Sequence, residues 1–184
     1  QIEAYFDFPE KGPLSQYVGF SFINHIERDD LLTPTQKTII SYGIAEIIQF
    51  LHCQRYTAIN VNPNNIFLDS KFNPYLVDLS NIKRIDEIYK ESNKKNKNDE
   101  KFTQLQNQVR NSYFKNDVYW FSLVYASLIE PISFNPPVSS PTELLQRLSN
   151  KSRPVCTKAS EEQQEVLDAM WNRISCDRIG IDEV

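Results

Sequence analysis

Hydrophobic residues recur at helical spacing in the stretch that follows Thr33. Thr33 can cap a first turn, Pro34 suits the first helical position, and Gln36 can bond back to the cap. Behind this start, one face of the predicted helix is apolar and comprises Ile40, Ile44, Ile47, Ile48 and Leu51. Gly43 costs about 1 kcal/mol relative to alanine in a helix, which indicates a point of close packing. The pattern predicts a long amphipathic helix with one buried face.

A second long helix is predicted to open at Asp117. Its apolar residues cover nearly the whole circumference and include Val118, Trp120, Phe121, Leu123, Val124, Tyr125, Leu128 and Ile129. A helix of this kind belongs in a core. Asp117 is expected to be its N-cap, a position that the helix dipole favours for a carboxylate.

Two further helix starts have the sequence of a capping box. These are residues 140–143 and 160–163, each with serine at the cap and Glu or Gln three residues later. The second helix is expected to bury one face made of Val166, Leu167, Met170, Trp171 and Ile174. Such a stripe is typical of a core.

A β-hairpin is predicted between the two long helices. The apolar runs Ile66–Leu68 and Tyr75–Val77 flank a polar turn that contains Pro74. Because the two ends of a hairpin lie close together, Asn65 and Asp78 are expected to meet. An amide oxygen and a carboxylate are suitable ligands for magnesium, so we predict a cation site at these two residues.

The other stretches are less regular. Residues 1–8 are apolar and aromatic and predict a strand, which the Pro-containing residues 9–13 end before a helix near Leu14. Residues 90–101 contain no apolar residue and predict a solvated loop. Together the patterns predict a mainly α protein with a small β-hairpin, in the α+β class.

Composition adds limits on function. The chain has 184 residues, a net charge of −4 and an ordinary hydrophobic content of 40%, so we expect one globular domain and no nucleic-acid partner. No apolar run approaches the roughly 18 residues of a membrane span, which predicts a cytoplasmic protein without a membrane partner. The odd set of Cys53, Cys156 and Cys176 lacks metal-ligand spacing and indicates reduced thiols.

The two histidines do not belong to a recognisable catalytic triad. His52 ends the apolar helix and is expected to be a core or capping residue, while His25 lies in a polar stretch. Nucleophilic hydrolysis therefore has little support.

Residues 58–80 resemble the catalytic core of the protein kinase family, which reads His-Arg-Asp-x-Lys-Pro-x-Asn-Ile-x-Leu and then Asp-Phe-Gly after a turn and a strand. Further landmarks of that family follow in the same order and at matching separations. They are Phe50-Leu51-His52-Cys53 for Tyr-Leu-His-Ser, Asp117-Val118-Tyr119-Trp120-Phe121-Ser122 for Asp-Val-Tyr-Ser-Phe-Gly, and Arg153-Pro154, Trp171 and Arg178 for landmarks of tyrosine-kinase-like members. The resemblance covers nearly the whole chain.

The resemblance implies a partial protein kinase-like domain over residues 1–184. Residues 1–13 would form the last small-lobe strand and the hinge, and residues 14–184 the large lobe, with most of the small lobe outside the chain. Since the sequence begins at Gln1 and Met170 is its only methionine, we expect a segment of a longer protein. Asp117 would hold the backbone of the catalytic loop.

The resemblance also implies a nucleotide site. Asn65 and Asp78 would hold magnesium, and Phe67 would join them in contacting ATP. Asn60 stands where the family has its proton-accepting Asp, and Asn62 stands where it has the catalytic-loop Lys. Mg and ATP are therefore expected to bind weakly.

Several departures from the family pattern bear on activity. A neutral amide at Asn60 cannot accept a proton, and loss of general-base assistance costs about 10² to 10⁴ in rate. Ala58-Ile59 replaces His-Arg, and Ser80 replaces the glycine of Asp-Phe-Gly. The Ala-Pro-Glu landmark before Asp117 is not identifiable, so Arg178, its usual partner, is either unpaired or bound to another group.

Three functional hypotheses remain open from the sequence. The preferred one is a pseudokinase, a binding or signalling scaffold with a protein partner. The second is an active or weakly active protein kinase whose small lobe lies outside this segment, in which Ser92, Thr103, Ser112 and Tyr113 would fall in the activation segment as candidates for phosphorylation. The third is an unrelated helical interaction domain.

Overall fold

The computed structural model describes residues 11–18, 31–59, 61–77, 79–80, 82–92, 99–135, 140–150, 152–172, 174 and 177–184. Over these residues the protein combines α-helices with short antiparallel strands, which agrees with the predicted α+β class. The helices are α1 (Pro34–Cys53), α2 (Ile85–Ser92), α3 (Asp99–Ile129), α4 (Pro141–Ser149) and α5 (Glu161–Met170). The strands are β1 (Gly12–Pro13), β2 (Tyr56–Thr57), β3 (Ile66–Leu68), β4 (Pro74–Leu76) and β5 (Lys83–Arg84).

Helix α1 forms as its sequence predicts. Thr33 and Gln36 make the reciprocal capping box, in which the Thr33 N–H donates to Gln36 Oε1 at 2.8 Å and the Gln36 N–H donates to Thr33 Oγ1 at 3.3 Å. The predicted face is buried at Ile40, Ile44 and Ile48, whereas Ile47 and Leu51 are partly buried at its edge.

Gly43 is a point of close packing, as its place in the helix predicts. A Cβ atom at this position would lie 2.6 Å from Cγ and Cδ of Pro74, so the absence of a side chain lets α1 rest directly on β4. The helix and the hairpin are therefore in van der Waals contact here.

The predicted β-hairpin is confirmed. Strands β3 and β4 are antiparallel, with Ile66 opposite Leu76, Phe67 opposite Tyr75 and Leu68 opposite Pro74. β1 joins the other edge of β3, which gives the sheet order β1-β3-β4. A second pairing, of β2 with β5, joins residues on either side of the hairpin and was not predicted.

Helix α3 corrects the prediction of a helix that opens at Asp117. The helix begins at Asp99, so Asp117 lies in its interior and is not an N-cap. The second half of α3 does form the centre of the core, where Val118, Tyr119, Phe121, Leu123 and Val124 are all at most 2% exposed.

The solvated loop predicted over residues 90–101 is wrong at both ends. Helix α2 continues to Ser92 and α3 starts at Asp99, while residues 93–98 lie outside the described part of the chain. Helix α2 buries Ile85, Ile88 and Tyr89 and contacts α3.

The C-terminal helices agree with their predicted starts. The Glu143 N–H donates to Ser140 Oγ at 3.2 Å, and Ser160 forms a full capping box with Gln163. α5 buries Leu167 and Met170, and Trp171 follows them into the core. Ile174 does not belong to this face, because the helix ends at Met170 and the Ile174 side chain is 58% exposed.

The N-terminal predictions are tested only in part. Leu14–Gln16 form a 3-10 turn with a fully buried Leu14, in place of the expected helix near Leu14. The strand predicted over residues 1–8 lies outside the described residues. None of the helices in the described ranges is long and apolar enough to cross a membrane.

Candidate functional site

The buried carboxylate of Asp117 is the centre of the candidate site. Asp117 is fully buried on α3, and its oxygens accept four hydrogen bonds. Oδ2 accepts from the Thr57 hydroxyl at 2.8 Å and from the Ala58 N–H at 2.9 Å, and Oδ1 accepts from the Ile59 N–H at 2.9 Å. A long-range contact of this kind fixes the backbone that leaves β2.

The fourth donor is His52 at the end of α1. Its Nε2 lies 3.0 Å from Asp117 Oδ2, and because a carboxylate only accepts, this nitrogen carries the proton. The imidazole also stacks on Phe114 with ring centroids 3.9 Å apart and planes 11° from parallel. His52 is thus the core histidine that its place in the sequence predicts, and it links α1 to α3.

Ile59 has a strained backbone. Its φ is 52°, in the left-handed region that β-branched residues rarely adopt. Such a conformation costs of order 1–3 kcal/mol and persists only where the surroundings impose it. Here the hydrogen bond from the Ile59 N–H to the buried Asp117 helps to impose this conformation.

The predicted site residues after this loop are placed only in part. Asn60 lies outside the described residues. The Asn62 side chain accepts a hydrogen bond from the Asn64 N–H at 2.9 Å, and its carbonyl accepts from the Asn65 N–H at 3.0 Å. Asn62 therefore forms a local turn that leads the chain into β3.

The ends of the hairpin meet as predicted. The Val77 N–H donates to the carbonyl of Asn65 at 3.0 Å, so residue 77 lies beside Asn65 across the ladder. Asp78, the second predicted magnesium ligand, lies outside the described residues, and the cation site remains a prediction. Within the described ranges, no group of three or more His, Cys, Asp or Glu residues is arranged to hold a metal ion.

Phe67, the third predicted nucleotide contact, is the central residue of β3. It lies opposite Tyr75 on one side and Pro13 on the other. Since alternate residues of a strand face opposite sides, Phe67 lies on the face away from the buried Ile66 and Leu68. Its role toward a nucleotide stays a prediction.

Arg178 is bound to other groups, which was one of the two alternatives that the sequence left open. Its side chain is buried, and Nε donates to the carbonyl of Asn172 at 2.7 Å while Nη1 donates to the carbonyl of Lys115 at 3.2 Å. The guanidinium also lies 5.3 Å from the ring centroid of Tyr119. Burial lowers the pKa of Arg178. The backbone carbonyl of Arg178 in turn accepts a hydrogen bond from the Lys115 ammonium.

The described cysteines are free thiols, as predicted. Cys53 is exposed at the end of α1 and Cys156 is partly buried, while Cys176 lies outside the described residues. Burial and then a hydrogen bond to Glu130 raise the pKa of Cys156 to about 12. Cys156 is therefore a thiol at neutral pH and not an activated nucleophile.

The resemblance implied that Asp117 holds the backbone of this loop, and the bonds from Ala58 and Ile59 agree with it, but sequence reasoning missed the Thr57 hydroxyl and the strain at Ile59. Thr57 and Ile59 carry no local signal of their role, because their partner Asp117 is about sixty residues away. Thr57 could have been recognised only as a polar residue before an apolar pair, which is a weak signal. The strain at Ile59 is visible only in three dimensions.

No protein-family model matches the chain, and a search of curated proteins finds no significant match.

Proposed function

We propose that the chain is the large lobe of a degenerate protein kinase-like domain that acts as a binding scaffold. The order of its described elements supports this proposal: a capped helix α1, a loop held by Asp117, the hairpin β3–β4, and the buried second half of α3. The landmarks of the sequence resemblance fall on α1, on the hairpin and on α3, although Asp117 lies inside α3 and does not open it. The kinase-like assignment rests on these two agreements.

The observation that carries the proposal is the loop between β2 and β3. Asp117 accepts hydrogen bonds from the loop N–H groups of Ala58 and Ile59 and from the Thr57 hydroxyl at the end of β2, and Ile59 adopts a strained conformation within the loop. In a kinase such a loop presents a carboxylate to the substrate hydroxyl. In this chain the corresponding residue is Asn60, so the supported shape lacks the group that would accept a proton.

Asn62, at the position of the catalytic-loop Lys of the family, also favours a scaffold. The family Lys would supply a positive charge near the transferring phosphate, whereas the Asn62 side chain is neutral and bonds to the Asn64 N–H. Positioning and electrostatic stabilisation are the main contributions to phosphoryl transfer. The loss of both charges favours a scaffold over an enzyme.

Nucleotide binding without transfer is a second candidate function. It is favoured by the Val77–Asn65 hydrogen bond, which holds together the two ends of the hairpin where Asn65 and Asp78 are expected to bind magnesium. When bound, magnesium would neutralise phosphate charge at that position. A scaffold of this type would bind Mg–ATP weakly.

A phosphotransfer assay tests the proposal. The purified full-length protein is incubated with magnesium and labelled ATP, with and without a generic protein substrate, beside the variants Asp78→Ala and Asn60→Asp. We expect no transfer by the native chain. Activity that is present in the native chain and lost in Asp78→Ala would assign the active-kinase alternative instead.

Thermal denaturation separates the scaffold from the nucleotide-holding candidate. Stabilisation by Mg–ATP that is absent with ATP in EDTA and absent in Asn65→Ala would support a nucleotide site, since a ligand stabilises the state that it binds. Asn64→Ala, which changes an exposed neighbour, is the matched control. Equal melting temperatures under all conditions would leave a nucleotide-free scaffold.

A further inference from the structure

An apolar groove runs between helix α1 and the β4 edge of the hairpin. Its volume is about 540 Å³, within the 300–1,000 Å³ that is typical of ligand sites. One wall is the α1 side, which includes Glu46 and Phe50, and the other includes Pro74 and Tyr75 of β4 and Leu79 beyond it. The two walls approach each other closely where Gly43 meets Pro74.

Large apolar side chains on both walls remain in contact with solvent. Phe50 is 65% exposed, Leu79 is 57% exposed and Tyr75 is 46% exposed. Isolated exposed apolar residues are ordinary, but a cluster that lines one groove marks an interaction site. Aromatic side chains are also enriched among the residues that dominate binding energy.

The groove has a single sign of charge. Glu46 is the only charged residue among those that line it, and the described residues contain no ion pair to its carboxylate. Tyr42, one turn earlier on α1 and 65% exposed, bonds to Glu46, and this hydrogen bond raises the Tyr42 pKa. A cationic group of a partner would complement the carboxylate at the wall of an apolar groove.

We propose that this groove binds a peptide segment of a partner protein that carries apolar anchors beside a Lys or Arg. The anchors contact Phe50 and Leu79, and the basic side chain pairs with Glu46. The groove is more open than enclosed, which suits a peptide segment better than a fully surrounded small molecule. This inference rests on the proposed scaffold function and assigns its docking surface.

Peptide selection on the full chain tests the proposal. A phage-displayed library of random short peptides is selected on the immobilised protein, and enriched peptides are synthesised with a fluorescent label for measurement of Kd. We expect enrichment of peptides with two or more large apolar residues near a Lys or Arg. Enrichment without such a pattern, or no enrichment, would overturn the proposal.

Surface variants locate the binding site. Phe50→Ser is expected to weaken an enriched peptide by about tenfold or more, as for an anchor in the centre of an interface. Glu46→Lys is expected to weaken it and to favour the same peptide with its basic residue changed to Glu. The matched controls are Ile174→Ser, an equally exposed apolar residue outside the groove, and Glu165→Lys, an exposed residue of α5.

The remaining outcomes are equally informative. Binding that tolerates Phe50→Ser and Glu46→Lys would place the peptide elsewhere and overturn the proposal. A dimer in sedimentation that Phe50→Ser dissociates would assign the groove to a second copy of the chain and would also overturn it. A failure of the proposed function would appear instead as phosphotransfer activity, which these variants leave unchanged.

Discussion

Replacement of Asp117 by alanine is expected to destabilise the protein strongly. The change removes the acceptor of four hydrogen bonds at a site that is 0% exposed. Thr57 and Ala58 are also buried, and each buried donor left without a partner costs about 1–3 kcal/mol. The two donors together cost about 2–6 kcal/mol, and relief of the strain at Ile59 returns about 1–3 kcal/mol, so the central values leave a net loss of roughly 2 kcal/mol.

This loss would be a large part of the stability of a typical domain, which is about 5–15 kcal/mol. Urea unfolding followed by tryptophan fluorescence measures it directly. Asp117→Asn should be milder, because one amide oxygen still accepts while the amide nitrogen faces the other donors. Hydrogen exchange should accelerate at the amides of Ala58 and Ile59 in both variants.

The control is Asp86→Ala. Asp86 makes ion pairs with Arg55 and Arg84 at the surface, at 3.8 Å and 3.4 Å, and exposed pairs of this kind contribute about 1 kcal/mol or less. If Asp117→Ala lost no more stability than Asp86→Ala, Asp117 would not be what holds the loop. The reasoning behind the proposed function would then fail with it.

Three other predictions concern packing, pH and thiol chemistry. Gly43→Ala should lower the unfolding free energy by about 1–2 kcal/mol, because contact of its Cβ with Pro74 outweighs the gain in helix propensity, and Pro74→Ala should restore part of the loss in the double variant. Burial raises the pKa of Glu130, but hydrogen bonds from residues 156–158 outweigh burial, so the pKa is lowered overall. The stability that the ionised Glu130 contributes should therefore be present at neutral pH and lost as the pH falls below the ordinary carboxyl range. In urea unfolding, Glu130→Gln should lose less unfolding free energy on acidification than the native chain. Iodoacetamide labelling followed by peptide mass spectrometry should modify Cys53 well before Cys156, and equal rates would contradict the buried, high-pKa thiol.

The parts of the fold that the sequence predicts are those with local signals. The capping box at Thr33 and the alternation around the hairpin each involve residues a few positions apart, and both form as expected. The close approach at Gly43 was also predictable, because glycine destabilises a helix relative to alanine and its presence there indicates close packing. Local chemistry decides these elements, so one sequence is enough to find them.

The start of α3 shows where such reasoning fails. Residues 99–101 are all charged and carry no apolar signal, yet the helix includes them. The neighbouring helix α2 buries Ile85, Ile88 and Tyr89, which lie at helical spacing before the polar residues 90–101. Helical stability in proteins comes mostly from tertiary packing, which no window of the sequence displays.

The same limit applies to the candidate site. The sequence indicates a core histidine and an acidic residue on α3, but the bond between His52 and Asp117 spans 65 positions. The predicted N-cap role for Asp117 was wrong because the helix continues on its N-terminal side. The Asp117 carboxylate does not cap its own helix and instead accepts hydrogen bonds from the loop after β2.

Arg178 binds the two residues of α3 that immediately precede Asp117. Arg178 donates to the carbonyl of Lys115 and to the Asn116 side chain, and Lys115 donates back to the carbonyl of Arg178. This reciprocal contact ties the C-terminal segment to the residues just before Asp117, so it also fixes where the Asp117 carboxylate lies. The Thr57 hydroxyl and the Ala58 and Ile59 N–H groups are thus satisfied by a carboxylate whose own place on α3 is fixed. Under the kinase-like proposal, the positions expected to serve proton transfer and phosphate binding, Asn60 and Asn62, carry neutral amides, and this agrees with a scaffold better than with an enzyme.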